Sequence, residues 1–258
     1  MLRILISNDD GINAIGIKKL VEATLTLSDV EVYVAAPSEE KSGVGHGITY
    51  RTPLTSAVHS FYGLPVQAWE VHGTPADCVK AAYYLLLEED RRPDIVFSGI
   101  NVGNNLGRDV YYSGTCSAAR EAVILGIPSV AFSYDNYFAG DDYGEVEEIV
   151  KPLLREFQRR AIEKLLPPEV FWNVNIPNLP AAEVKGIAPA PLSLYHYQDK
   201  YKHASEGYYL QREYPETGDQ EKHDYGMLQA GYVTVTPIHI DSTDYTLLES
   251  MGDWPIIK

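Results

Sequence analysis

A chain of 258 residues, 45% of them hydrophobic, has enough apolar material for a sizeable core, and we read 1–258 as a single α/β domain with one attached excursion. The formal charge of −15 and the sequence pI near 4.8 make the surface repulsive to nucleic acid polymers and anionic membranes, while a small phosphate ester held through a metal ion stays allowed. No run reaches the roughly 18 consecutive apolar residues of a membrane span, Met1 leads straight into an apolar strand, and Cys78 and Cys116 lie far apart without paired spacing. The expectation is a soluble, cytoplasmic protein with neither a disulfide framework nor a zinc site.

In chain order, Leu2–Asn13 (LRILISNDDGIN) predicts a strand buried on both faces, broken by the polar stretch Ser7–Gly11. Asp9 and Asp10 then stand at a strand's carboxyl end, where ligands of open parallel sheets bind. Apolar residues at 17, 20, 21 and 25 predict a helix over 15–27, and VEVYVAA (30–36) predicts a second buried strand that stops at Pro37. The Ser- and Gly-rich loop SEEKSGVGHGIT (38–49) leaves that same sheet edge and carries Ser42. Alternation over 48–72 suggests short strands or a hairpin. Thr74 suits an N-cap and Pro75 the first position of a helix running to Leu87.

PDIVFSGI (93–100) predicts a third strand, ending in Asn101, Asn104 and Asn105. Ser113, Gly114 and Thr115 precede a helix over 117–125, whose first N–H groups are a ready anion site that small residues let a phosphate approach. A strand over 128–133 follows, then a long charged amphipathic helix over 144–166 with a bend near Pro152, a strand over 171–176, a proline-rich tract over 177–191, and a last strand over 231–240. The tyrosine-rich stretch 195–225 fits an extended hairpin that buries aromatic faces against another subunit or the main domain. Strands alternating with helices predict a mainly parallel sheet with right-handed crossovers.

The polar residues at the strand ends are Asn8, Asp9, Asp10, Ser42, Asn101, Asn104, Asn105, Ser113 and Thr115, all hard oxygen or amide groups. They suit magnesium or manganese and suit zinc poorly. An ion held there would activate a water for phosphate ester hydrolysis. Each part has a plainer reading, since NDDG is first a turn signal and a lone loop serine is usually solvated. Their shared position at one sheet edge shifts the balance. His46, beside Ser42, is a rival proton donor, but a solvated loop histidine is commoner, and all seven histidines stay outside the catalytic set. Tyr111, Tyr112 and Tyr134 would stack a base or simply pack. An aspartyl-phosphate phosphatase uses carboxylates separated by one residue, unlike adjacent Asp9 and Asp10, and the absence of GxGxxG weakens a dinucleotide-binding reading.

The runs ILISNDDGINAIGI, APSEEKSGVGHGIT, HGTPADCV, PDIVFSGINVGNNLGRDVYYSGTCSAAREA and GYVTVTPI, in this order, resemble the SurE family of metal-dependent 5′-nucleotidases. The resemblance implies a Rossmann-like three-layer α/β/α sandwich with a C-terminal hairpin excursion. It also implies hydrolysis of nucleoside 5′-monophosphates, with 3′-monophosphates and short polyphosphate as further substrates. Carried over residue by residue, Asp9 and Asp10 are the catalytic carboxylates and, with Ser42 and Asn101, the ligands of one divalent ion (Mg²⁺ or Mn²⁺) per subunit. Asn8, Asn105, Ser113, Gly114 and Thr115 are the implied phosphate neighbours, and residues 192–230 the excursion through which a homodimer or homotetramer assembles. Two departures from the family pattern, Ile15 where it has proline and Lys41 where it has arginine, keep shape or charge.

Overall fold

The first strand, β1 (Leu2–Ser7), lies in the middle of the sheet, in keeping with an apolar run interrupted only by Arg3 before the closing Ser7. A computed structural model describes residues 1–136, 142–194, 198–213 and 221–253. After β1 come α1 (Ile15–Thr24), β2 (Val30–Pro37), β3 (Ser56–Val58), β4 (Gln67–Val71), α2 (Pro75–Ala81), β5 (Ile95–Val102), α3 (Gly114–Ile124), β6 (Ser129–Tyr134), α4 (Val146–Ile162) and β7 (Val170–Ile176). β8 (Ile187–Pro189), β9 (Gln198–Ala204), β10 (Gly207–Glu213), α5 (Asp224–Gln229), β11 (Val233–His239) and α6 (Tyr245–Ser250) complete the described elements.

Nine strands form one sheet in the order β3-β4-β2-β1-β5-β6-β7-β11-β8. From β4 to β7 all neighbours are parallel, as the strand-helix alternation predicts. The flanks differ: β3 pairs antiparallel with β4, and β11 antiparallel with β7. β11 follows the long excursion rather than a crossover helix, and antiparallel neighbours need no crossover.

Successive β1 side chains point to opposite faces. Ile4 and Ile6 pack with Ile17, Leu20 and Val21 of α1 and with Val150, Leu154 and Phe157 of α4. Leu5 packs on the other face with Cys78 and Val79 of α2 and Ala118 and Ala122 of α3. Two helical layers therefore sandwich the sheet, the predicted three-layer arrangement. Each fully buried aliphatic side chain of this kind contributes about 1.5–3 kcal/mol. α1 packs closely because residue 16 is glycine; a Cβ there would lie 1.9 Å from the Ile100 carbonyl oxygen.

Element boundaries shift where local hydrogen bonds decide them. Thr74 caps α2 in a reciprocal box with Asp77, with Pro75 following, but the helix becomes a wider π turn over Ala82–Leu86 instead of running regularly to Leu87. α3 starts at Gly114, three residues before the predicted 117, because the Ser113 hydroxyl accepts from the Cys116 N–H. β8 lies inside the proline-rich tract, where no strand is expected from composition. β9 and β10 form the predicted hairpin, yet Tyr201, Tyr208 and Tyr209 remain exposed on it, so within one chain these rings are not buried on the main domain. The parts of that expectation at 195–197 and 214–220 lie outside the described residues. Cys78 and Cys116 are buried and unpaired. Among the described residues no helix is long and apolar enough to cross a membrane.

Candidate active site

Site construction begins at the turn after β1. The Asn8 side-chain amide donates to the Gly11 carbonyl (2.8 Å), and the Lys41 N–H donates to the Asp9 carbonyl (2.7 Å), so the loop after β2 is stitched to the carboxylate turn. Gly11 adopts φ +100°, a conformation that favours glycine.

Asp9 is 4% exposed. The Thr115 hydroxyl donates to its Oδ1, and the start of α3 lies so close that a Cβ on Gly114 would sit 2.5 Å from the Asp9 Cβ. Burial pushes the Asp9 carboxyl up to about 6, with the Thr115 hydroxyl and the Gly114 and Thr115 N–H groups offsetting part of the effect. Asp10 accepts from the Val102 N–H at 3.3 Å, and burial, then the neighbouring Asp9 charge, pushes it up to about 7. The largest contributions come from burial and hydrogen bonds and, at Asp10, from the charges of Asp9 and Glu40.

β5 adds Asn101. The β5–β6 register shifts between Ser98 and Asn101, an irregularity of the kind that re-aims side chains next to functional sites. The Asn101 amide nitrogen donates to the Val102 and Gly103 carbonyls (3.0 and 2.9 Å), which leaves its Oδ1 as an acceptor. Ser42 is exposed in the loop after β2, its hydroxyl donating to Glu40 (2.6 Å).

These ends surround a cavity of about 1040 Å³ whose lining includes Asp9, Ser42, Asn101, Asn105 and Ser113. Asn8, Asp10, Gly114 and Thr115 are not part of that lining. Gly114 and Thr115 instead touch Asp9 from behind, so of the three small residues at the head of α3 only Ser113 faces the cavity wall.

Asp9 and Asp10 carboxylates, the Asn101 amide oxygen and the Ser42 hydroxyl make an all-oxygen donor set. The buried Asn8 Oδ1 beside them has no hydrogen-bond partner. Two adjacent carboxyls held above their ordinary range by burial fit a hard divalent ion. Among the described residues no three His, Cys, Asp or Glu side chains gather as a metal site, so an ion beside the two carboxylates would need further oxygen donors, of the kind Asn101 and Ser42 carry.

The family model described as Survival protein SurE matches residues 4–199. The chain belongs to the SurE family. The 5′-nucleotidase SurE of Brevibacillus brevis is 62% identical over 258 residues, covering 100% of this chain and 97% of the relative. That of Heliobacterium modesticaldum is 41% identical, covering 98% and 92%. The crystal structure of the SurE protein from Aquifex aeolicus matches with a TM-score of 0.79 at 38% identity, covering 96% of this chain and 98% of that one.

In this SurE-family chain several residues with a part in the site escaped the sequence reading. Asn173 and Asn175 of β7 are fully buried; Asn175 accepts from the Asn105 N–H and Asn173 donates to the Asn105 carbonyl, both at 2.7 Å. The Asn105 side chain donates to Ser133 (2.8 Å). FWNVNI carries the available signal, two polar residues on one face of an apolar strand. Asn104 is held by Asp135 (2.7 Å), and both line the cavity. His46 binds Glu121 at 2.9 Å and does not line the cavity; Lys80 binds the other Glu121 oxygen. Of the three tyrosines weighed for base stacking, Tyr134 is buried with its hydroxyl donating to Asn178 (2.7 Å), Tyr111 is absent from the cavity wall, and Tyr112 lines it.

Proposed function

We propose that this protein is a metal-dependent 5′-nucleotidase that releases phosphate from nucleoside 5′-monophosphates, with 3′-monophosphates and short polyphosphate as secondary substrates. The observation that carries the reading is the adjacent Asp9–Asp10 pair, one carboxyl buried and the other half-buried, both raised by desolvation, at the edge of a cavity that also holds Asn101, Ser42 and Ser113. The 5′-nucleotidase names of full-length relatives at 62% and 41% identity support it.

Asp9, Asp10, Ser42 and Asn101 would hold one Mg²⁺ or Mn²⁺ per subunit, and such an ion polarises a phosphoryl oxygen and lowers the pKa of an attacking water. Thr115 fixes the orientation of Asp9 through its hydroxyl. At the start of α3, Ser113 brings its hydroxyl and the positive helix end to the cavity wall, where phosphate oxygens would sit, while Gly114 and Thr115 serve Asp9. The hydrogen-bonded asparagines of β7 keep Asn105 in place on the cavity wall. Residues 192–230 join copies of the chain into a homodimer or homotetramer.

A phosphate-release screen over mononucleotides with Mn²⁺, with Mg²⁺ and with EDTA tests this. Release from 5′-mononucleotides should vanish with EDTA and return on adding metal, and Asp9→Asn should lower kcat/KM by about 100-fold or more. Full turnover in EDTA, or AMP binding with no phosphate release, would overturn the reading.

A further inference from the structure

The cavity above β1 and β5 is larger than the phosphoryl chemistry requires. About 1040 Å³ is the scale of a site that encloses a whole drug-sized ligand. Part of its lining also comes from outside the nine-stranded sheet: Leu210 and Gln211 from β10, and Tyr225 and Gln229 from α5.

Their chemistry differs from that of the strand ends. Leu210 lines the cavity with 45% of its surface exposed, and Tyr112 with 55%, so apolar area is left for a ligand to cover. Tyr112 and Tyr225 supply aromatic surface of the kind on which nucleobases stack. Gln211 and Gln229 carry amides, which both donate and accept as the edge of a base does.

The α5 part of this wall is anchored. Asp224 is fully buried and accepts from the N–H groups of Gly107, Ser193 and Tyr225, each at 2.8 Å. The first residue of α5 is thereby tied to the 3₁₀ turn Gly107–Tyr111 that leads into Tyr112. Gly107 admits the contact because a Cβ there would lie 2.6 Å from the Ser193 carbonyl oxygen.

We propose that Leu210, Gln211, Tyr225 and Gln229 form a nucleoside-recognition wall, so that β10 and α5 set selectivity for the leaving group while the strand ends handle the phosphoryl group. The inference rests on the nucleotidase reading above. Asp224 acts as the positioning residue of this wall.

The test compares kcat/KM for AMP with that for glycerol phosphate, both with Mn²⁺, in the full chain. Loss of a stacking or edge contact should lower the AMP-to-glycerol phosphate ratio about tenfold in Tyr225→Ala and in Gln211→Ala, whereas Tyr225→Phe, which keeps the ring, should retain the wild-type ratio. Gln211 is exposed, so its variant carries the test even where Tyr225→Ala does not fold. Ratios in the alanine variants within about twofold of wild type, in a wild type active on both substrates, would overturn the inference alone. A wild type that releases no phosphate from AMP would overturn the nucleotidase reading and this inference with it.

Discussion

Asp9 sits with its Oδ1 under the Thr115 hydroxyl and its Cβ against Gly114, and Asp10 follows with less cover. The Thr115 contact orients a proposed metal ligand, and losing such an outer partner typically costs about 10–100-fold in metal affinity. Thr115→Val, which keeps the shape and removes the donor, should therefore weaken Mn²⁺ binding by that factor in a calorimetric titration, with the fold intact. The pair also makes a pH prediction. Folded, the two carboxyls titrate near 6 and 7; their unperturbed value is 3.8. Between these values the folded state binds more protons than the unfolded one, so the stabilisation is full below about pH 4 and is lost as pH rises through about 7. In EDTA, Tm should fall between about pH 5 and about pH 7.5 more steeply in wild type than in Asp10→Asn; equal slopes would show that the pair does not control it.

Elements hold the loop that carries Ser42. At the head of α2 the Thr74 hydroxyl accepts from the Asp77 N–H (3.1 Å) and donates to the Gly47 carbonyl (2.7 Å), while Asp77 accepts from the N–H and hydroxyl of Thr49 (2.9 and 2.6 Å). One helix cap thus also fastens the far end of the loop 38–49. Together with the His46–Glu121 contact to α3, it holds that loop between two helices. Thr74→Ala removes the cap and should cost about 1 kcal/mol, read as a Tm lower by roughly 2–4 °C. No change in Tm would mean that Asp77 alone holds the loop.

Across the whole molecule, stability depends on the shared core between sheet and helices. Phe132, in β6, is fully buried and meets Phe97 of β5 and Phe157 of α4 edge-on, with ring centroids 5.8 and 6.3 Å apart. It joins two parallel strands to the helical layer, so Phe132→Ala should cost about 3–5 kcal/mol in a denaturation experiment, a large share of a domain's net stability. A cost below about 1 kcal/mol would mean that the core repacks around the gap. The charge of −15 belongs to this scale too, since it repels long nucleic acid polymers without opposing a small metal-bound phosphate ester.

Patterns that are local in the chain were legible before any fold was known. The apolar runs of β1, β2, β5 and β6 announced buried parallel strands because both faces of such a strand are covered, and Thr74–Pro75 announced a helix start because capping involves only four residues. Asp9, Asp10, Ser42, Asn101 and Ser113 could be grouped because each lies at or beyond a predicted strand end or at a helix start. Other features depend on partners distant in sequence, and only the tertiary structure decided them. The reversed direction of β11, the strand β8 among prolines, the contact of Asn173 and Asn175 with Asn105, and the seating of Leu210 and Tyr225 on the cavity have no local signature. Periodicity reports which side of an element is buried, whereas what it is buried against is settled by long-range packing and by the hydrogen bonds that buried polar groups must find.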